Sequence, residues 1–133
     1  EAYIVHRGEL CYVILNRFPY NNGHLMVAPY AHVPTLEGLE PQTAAELMKL
    51  TQLSLRVLRQ AYHPDGFNVG ANIGSAAGAG VPDHVHVHIV PRWTGDTNYM
   101  TSVGKTRVIP EWMDRTYNRL RPLFERRSEA RDR

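Results

Sequence analysis

His84, His86 and His88 alternate with Val85, Val87 and Ile89 in a stretch that ends at Val90. Side chains on a strand repeat their direction every second residue. The spacing therefore predicts a strand with three imidazoles in a row on one face and branched aliphatic residues on the other. The aliphatic face reads as core. The imidazole face is poor packing material, because neighbouring imidazolium charges repel and each neutral ring needs a donor and an acceptor.

Three kinds of role compete for that row. Neutral imidazole ligates metals. Yet side chains at i and i+4 on a flat strand lie roughly 13 Å apart, from a rise of ~3.3 Å per residue. One ion cannot take both ends, although two neighbouring rings and a distant ligand could hold one. Nucleophilic or acid–base catalysis on an electrophile lying along the strand uses the whole row. The third alternative is a set of structural histidines, solvated or satisfied within the core.

Residues around the row add weaker signals. Gly74-Ser-Ala-Ala-Gly78-Ala-Gly80 is a small-residue loop just before it. Small residues let a ligand approach the backbone, and successive amides can cradle anionic oxygen. The loop lacks the Lys-Ser/Thr ending of a P-loop, and no predicted helix follows it. After the row comes a polar and aromatic loop from Arg92 to Met100. The planar fork of Arg92 suits phosphate. Trp93 and Tyr99 could stack on a base or pack on the sheet.

The elements that must position these residues follow from periodicity. Strands are predicted over 2–7, 10–15, 24–29 and 67–73, with the histidine strand fifth and ended by Pro91. Gly8-Glu9 reads as a hairpin turn, and residues 16–23 as a loop rich in Asn, Pro and Gly. Short connections favour antiparallel neighbours. A long helix starts near Pro41 and stops before His63-Pro64. Its apolar positions cover more than one stripe, which suggests a second buried face such as a subunit interface. Lys105, Arg107, Val108 and Ile109 suggest a short extended segment. A second helix runs from Pro110 to Phe124 with Trp112, Met113, Tyr117, Leu120, Leu123 and Phe124 as its stripe, and Pro122 disturbs its last turn.

The chain has 133 residues, 43% of them hydrophobic and 21% charged, with a net charge of +2. This fits a single domain over 1–124 followed by a charged tail, 125–133, that frays. No Lys or Arg block stands out as a nucleic-acid footprint, and no apolar run reaches membrane length. The one cysteine, Cys11, lies in an apolar run and reads as core. A cytoplasmic location is the default expectation. The first residue falls inside a predicted strand, which suggests that native residues precede it. Acidic residues are scattered, so no metal site is expected.

Taken together, these residues resemble the histidine-triad (HIT) family of nucleotide hydrolases and transferases. His84-x-His86-x-His88 is the strongest part. Asn16, Pro19, Gly23 and His24 resemble the family's nucleotide-binding segment, with Phe18 beside the base. Asn72 and Gly74 resemble its phosphate-proximal loop, to which Gly78 and Gly80 belong here. Pro91-Arg92-Trp93-x-Gly95-Asp96-x-Asn98 is similar to a bacterial branch of diadenosine tetraphosphate (Ap4A) phosphorylases. The resemblance implies an α+β fold: a five-stranded antiparallel sheet, one long helix and a C-terminal helix, assembled as a homodimer or higher oligomer.

The same resemblance implies a nucleotidyltransferase. His86 would attack the α-phosphorus of Ap4A, with His84, His88 and His24 flanking the phosphate. Inorganic phosphate would then displace the nucleotidyl group, giving ADP and ATP. Arg92, Trp93, Asp96 and Asn98 would contact the acceptor or the phosphates. No cofactor is implied, although a divalent cation could accompany the polyphosphate. The alternatives are a dinucleoside polyphosphate or nucleoside phosphoramidate hydrolase, a non-catalytic nucleotide-binding module and a metal-binding protein. Two departures stand out. Gly80 and Val81 replace a Gln and a Ser or Thr that many relatives carry before the triad. The Cys-x-x-Cys that supplies part of a zinc site in some relatives does not occur.

Overall fold

The structure is a computed structural model that describes residues 3–80, 82–96 and 110–131. Val81, Asn98, Tyr99, Lys105, Arg107, Val108 and Ile109 lie outside the described residues, as does the side chain of Trp112.

Five strands form one antiparallel sheet in the order β1-β2-β3-β5-β4. They are β1 (Ile4–Arg7), β2 (Cys11–Leu15), β3 (Leu25–Pro29), β4 (Gly66–Ala71) and β5 (Val87–Arg92). Two long helices, α1 (Pro41–Tyr62) and α2 (Pro110–Arg131), complete the α+β fold that the sequence predicts. The β1–β2 turn closes with the Gly8 N–H donating to Cys11 O at 2.8 Å. Glu46 of α1 secures that turn, accepting the Leu10 and Cys11 N–H groups at 2.8 Å each.

On β2, Cys11, Val13 and Leu15 point inward between the less buried Tyr12 and Ile14. They meet Leu25, Val27 and Ile89 on one side of the sheet, and Leu47, Leu50, Leu53, Val57 and Leu58 of α1 cover them. Thr51 and Ser54 sit within this apolar face of α1, and each hydroxyl donates to the carbonyl four residues back. Pro41 stands in the first turn, and the helix stops before Pro64 with His63 in a left-handed conformation at φ 51°.

Three expectations need correction. First, β5 begins at Val87, so His84 and His86 precede the strand. There the Val85 N–H donates to Val33 O at 2.8 Å, pairing the segment with the loop after β3 rather than with β3 itself. Second, Pro91 does not end β5. Pairing to β3 stops at Ile89, so the absent Pro91 N–H breaks no ladder bond on that side, while β4 pairs through Arg92. Third, the helix does not end at Phe124 with a frayed tail, but continues to Arg131. Buried Leu120 and Phe124 anchor it, and the Arg127 Nε–H donates to Gln60 Oε1 of α1 at 3.0 Å. α2 therefore covers the extra apolar positions of α1 within the chain, leaving Met48 58% exposed.

Candidate active site

Residues paired across two strands share a face. His88 pairs with Met26 of β3 and Gly70 of β4, and Val90 pairs with Asn68. These residues lie on the sheet face opposite α1. A cleft of about 490 Å³ opens there, lined by Tyr20, Asn68, Gly70, Asn72, His88 and Arg92 among others. Gly70 leaves it open beside His88, since nothing lies within 4 Å of where its Cβ would stand. The ladder ends at Ala71↔Val87, with Asn72 just past it on one chain segment and His86 just before it on the other.

Hydrogen-bond partners assign the tautomers of four histidines. A carbonyl only accepts, so His86 Nδ1, 3.1 Å from His84 O, carries the proton. The lone pair of neutral His86 is then on Nε2. His84 Nε2 donates to Pro29 O at 2.7 Å by the same logic. The Tyr20 N–H donates to His24 Nδ1 at 3.1 Å, so neutral His24 is protonated on Nε2 and donates to His88 Nδ1 at 2.9 Å. Neutral His88 must hold its own proton on Nε2. The rings of His86 and His88 meet edge to face, with centroids 4.8 Å apart.

Burial favours the neutral forms of His24 and His88. It pushes His24 down to about 3, helped by the neighbouring His88 and His86 charges. Burial and then His86 lower His88 as well. The sequence sets His24 beside the phosphate as an expectation. His24 is 1% exposed and lies behind His88, so its influence on a ligand passes through His88.

The loop between β2 and β3 is built around His24. Asn16 Oδ1 accepts the Phe18 N–H at 3.0 Å, and Asn16 Nδ2 lies 3.3 Å from His24 Nδ1. Asn16 is thus tied into its own loop. Phe18, next to Pro19, is 71% exposed, as is Tyr20, whose ring stacks on His24. Gly23 has φ 79°, and a Cβ there would meet Tyr62 at 3.0 Å and Leu58 at 3.1 Å. Its role in the structure is this tight left-handed turn against α1.

The small-residue loop is more closed than expected. A short 3-10 turn, Ser75–Ala77, occupies it, between Gly74 at φ 82° and Gly78 at φ 87°. The Ala77 and Ala79 N–H groups donate to Gly74 O, and the Gly78 N–H donates to Ser75 O. These three amides are therefore committed within the loop rather than turned to a ligand. Gly80 is open, with nothing within 4 Å of a Cβ position.

From the last residue of β5 onward the predicted contact residues separate. Arg92 lines the cleft, with NH1 donating to Asn68 Oδ1 at 2.6 Å. Its Nε and NH2 grip Asp96 at 3.2 and 2.8 Å. Asp96 also accepts the Trp93 N–H at 2.7 Å. The Arg92 and then Trp93 hydrogen bonds hold the Asp96 carboxyl well below the usual carboxylate range. A carboxylate so engaged braces Arg92 and would repel phosphate. Trp93 packs edge-on against Tyr62 of α1, with centroids 6.4 Å apart, and does not line the cleft. Sequence reasoning missed Asn21, which is 5% exposed and whose amide bonds both Pro91 O and Asp96. An Asn in a turn-rich loop carries no signal of a partner 75 residues away.

Among the described residues, no group of three or more His, Cys, Asp and Glu side chains could hold a metal ion. The rings of His32 and His84 are tilted by 33° with centroids 4.6 Å apart, and supply two imidazoles only. No helix among the described residues is long and apolar enough to cross a membrane.

Comparison with known proteins follows the same lines. The HIT domain family model matches residues 1–95. An AP-4-A phosphorylase of Mycobacterium tuberculosis is 50% identical over 111 residues, covering 84% of this chain. That alignment spans 57% of the relative, so this chain matches little more than half of the longer protein. A Zn-bound histidine triad family protein from Mycobacterium smegmatis superposes with a TM-score of 0.78 at 30% identity, covering 98% of this chain and 88% of its own. A histidine triad nucleotide-binding protein from Sulfolobus tokodaii gives 0.82 at 30% identity, covering 95% and 85%.

Proposed function

We propose for this chain, which belongs to the HIT domain family, the phosphorolysis of Ap4A to ADP and ATP through a nucleotidyl group carried on His86. One observation carries the chemistry: the His84 carbonyl holds the His86 Nδ1 proton, leaving Nε2 as the nucleophile. The similarity to a mycobacterial AP-4-A phosphorylase supports the choice of substrate.

In the first step the Nε2 lone pair of His86 attacks the α-phosphorus. The N–P bond forms as the bond to the bridging oxygen breaks, and ATP leaves with that electron pair. Neutral imidazole is a competent nucleophile near pH 7, since its ordinary pKa is about 6.5. The His88 Nε2–H, held in place by His24, is the donor for charge building on the phosphoryl or leaving oxygen. His84 is anchored on Pro29 O and supports the segment that presents His86.

In the second step an oxygen of inorganic phosphate attacks the same phosphorus. The N–P bond breaks, the electron pair returns to Nε2, the acceptor's proton passes to solvent, and ADP forms. Arg92, fixed at the far end of the cleft, is the cationic contact for that phosphate. The nucleoside would lie along the loop of Asn16, Phe18, Pro19 and Gly23, with Asn72, Gly74, Gly78 and Gly80 near the phosphates. The chain's own residues carry every step, and a divalent cation would accompany only the polyphosphate.

Assembly as a homodimer belongs to the same proposal. It is supported by the position of β4 at the sheet edge, where Asn68, Val69 and Gly70 are exposed. Light scattering should report a particle of twice the chain mass, and a monomer would contradict it.

The decisive assay is product analysis of Ap4A turnover with and without phosphate, in oxygen-18 water. Phosphate-dependent ADP plus ATP supports phosphorolysis. AMP carrying the water label, at a rate indifferent to phosphate, would replace it with hydrolysis.

A further inference from the structure

We propose that Asn21 is a positioning residue that acts through Asp96 to aim the Arg92 guanidinium at the anionic group leaving or entering at the phosphorus. The inference rests on the proposed nucleotidyl transfer and assigns that cleft to the polyphosphate side of the substrate.

Asn21 joins two segments far apart in sequence. Its backbone carbonyl accepts the His24 N–H at 3.2 Å. Its side-chain Nδ2 donates to Pro91 O at 3.0 Å and to Asp96 Oδ2 at 2.7 Å. The loop that orients His24 is therefore the loop that holds the exit of β5. Burial makes the link demanding, because the Asn21 amide at 5% exposure and the Asp96 carboxylate at 11% have little water to replace a lost partner.

Asp96 passes the constraint to Arg92 through two hydrogen bonds, and Asn68 on β4 holds the opposite edge of the guanidinium. Three points thus define its plane. Arg92 and His88 line one cleft, separated along β5 by Val90 and opposite Gly66 and Gly70. With Nε and Nη2 committed to Asp96, the guanidinium stands in the cleft beyond His88 as a fixed cation, placed for a phosphoryl group other than the one under attack. Entering and leaving groups use the same side in a double displacement, so one guanidinium serves both.

The test compares donors with different leaving groups. Wild type, Asn21→Ala, Asp96→Asn and the double variant are mixed with Ap4A or with adenosine 5′-phosphoramidate, whose leaving group is ammonia. Labelling of His86 is followed by rapid quench, and the KM for phosphate is measured with Ap4A. Each single variant should slow labelling from Ap4A and raise the phosphate KM by roughly ten- to a hundredfold, the scale of a misplaced contact. Labelling from the phosphoramidate should stay within about twofold, and the double variant should be no worse than the poorer single one. Asp96→Asn keeps the size of the side chain but puts an NH2 where a carboxylate oxygen accepts, so it tests the link even if Asn21→Ala fails to fold. Equal losses with both donors, or an unchanged phosphate KM, would overturn the proposal. Failure of phosphorolysis itself would show separately, as wild-type enzyme forming AMP instead of ADP.

Discussion

His24 Nε2 lies 2.9 Å from His88 Nδ1, and the Tyr20 N–H holds the other nitrogen of His24 at 3.1 Å. A backbone amide thereby dictates which nitrogen of a ring on the cleft surface carries a proton. The direction is fixed, since an N–H can only donate. His24→Asn should break the relay while leaving His86 in place. We expect kcat to fall roughly a hundredfold, the low end of one general-acid contact, with the KM for Ap4A little changed. Steady-state kinetics checks this, and a rise in KM at constant kcat would contradict it.

The same burial makes the fold sensitive to acid. His24 is pushed from 6.5 down to about 3, so between those values the unfolded chain binds a proton that the folded chain refuses. Stability from this group is complete above about pH 6.5 and is lost as pH falls toward the folded value. From pH 7 to pH 5 the loss is about 2 kcal/mol for His24. Burial lowers His88 and His6 in the same direction. Urea unfolding at both values should show the drop, and His24→Asn should flatten it. A midpoint independent of pH over this range would count against a neutral, buried His24.

Gly23 tests the turn that delivers His24. Its φ of 79° and the approach of Tyr62 and Leu58 leave an added methyl both strained and crowded. Gly23→Ala should cost about 1–3 kcal/mol in denaturant unfolding, the range of overpacking. Gly70→Ala meets open space at a φ outside the left-handed region and should cost well under half of that.

Cys11 is buried in the core, and burial with the nearby Glu46 pushes its thiol up to about 11. Thiolate is the reactive form. Iodoacetamide at neutral pH should therefore modify Cys11 only in denaturant. Stoichiometric alkylation of the folded protein, followed by mass spectrometry, would contradict this packing.

The strands and the long helix were legible because each is a local pattern, whereas of the three alternating histidines only His88 lies within β5. Period two sets Cys11, Val13 and Leu15 inward, and Pro41 with His63-Pro64 brackets α1. Features that depend on distant partners were not legible. Whether His24 touches a ligand depends on His88, 64 residues away, and Arg92 could be judged only with Asn21 and Asp96 beside it. The full length of α2 was hidden for a related reason: charged residues after Phe124 look solvated until Gln60 is seen beneath Arg127. Trp93 illustrates the reverse, a residue that pattern alone left open and that packing on Tyr62 explains.

The central claim is that the Nε2 atom of His86 forms a bond to phosphorus. Protein incubated with Ap4A without phosphate, quenched in base and digested, should yield one adenylyl group on the peptide carrying His86. The adduct should vanish in His86→Ala and convert to ADP when phosphate is added to the wild type. An adduct on a different residue, or undiminished ADP formation by His86→Ala, would contradict the account.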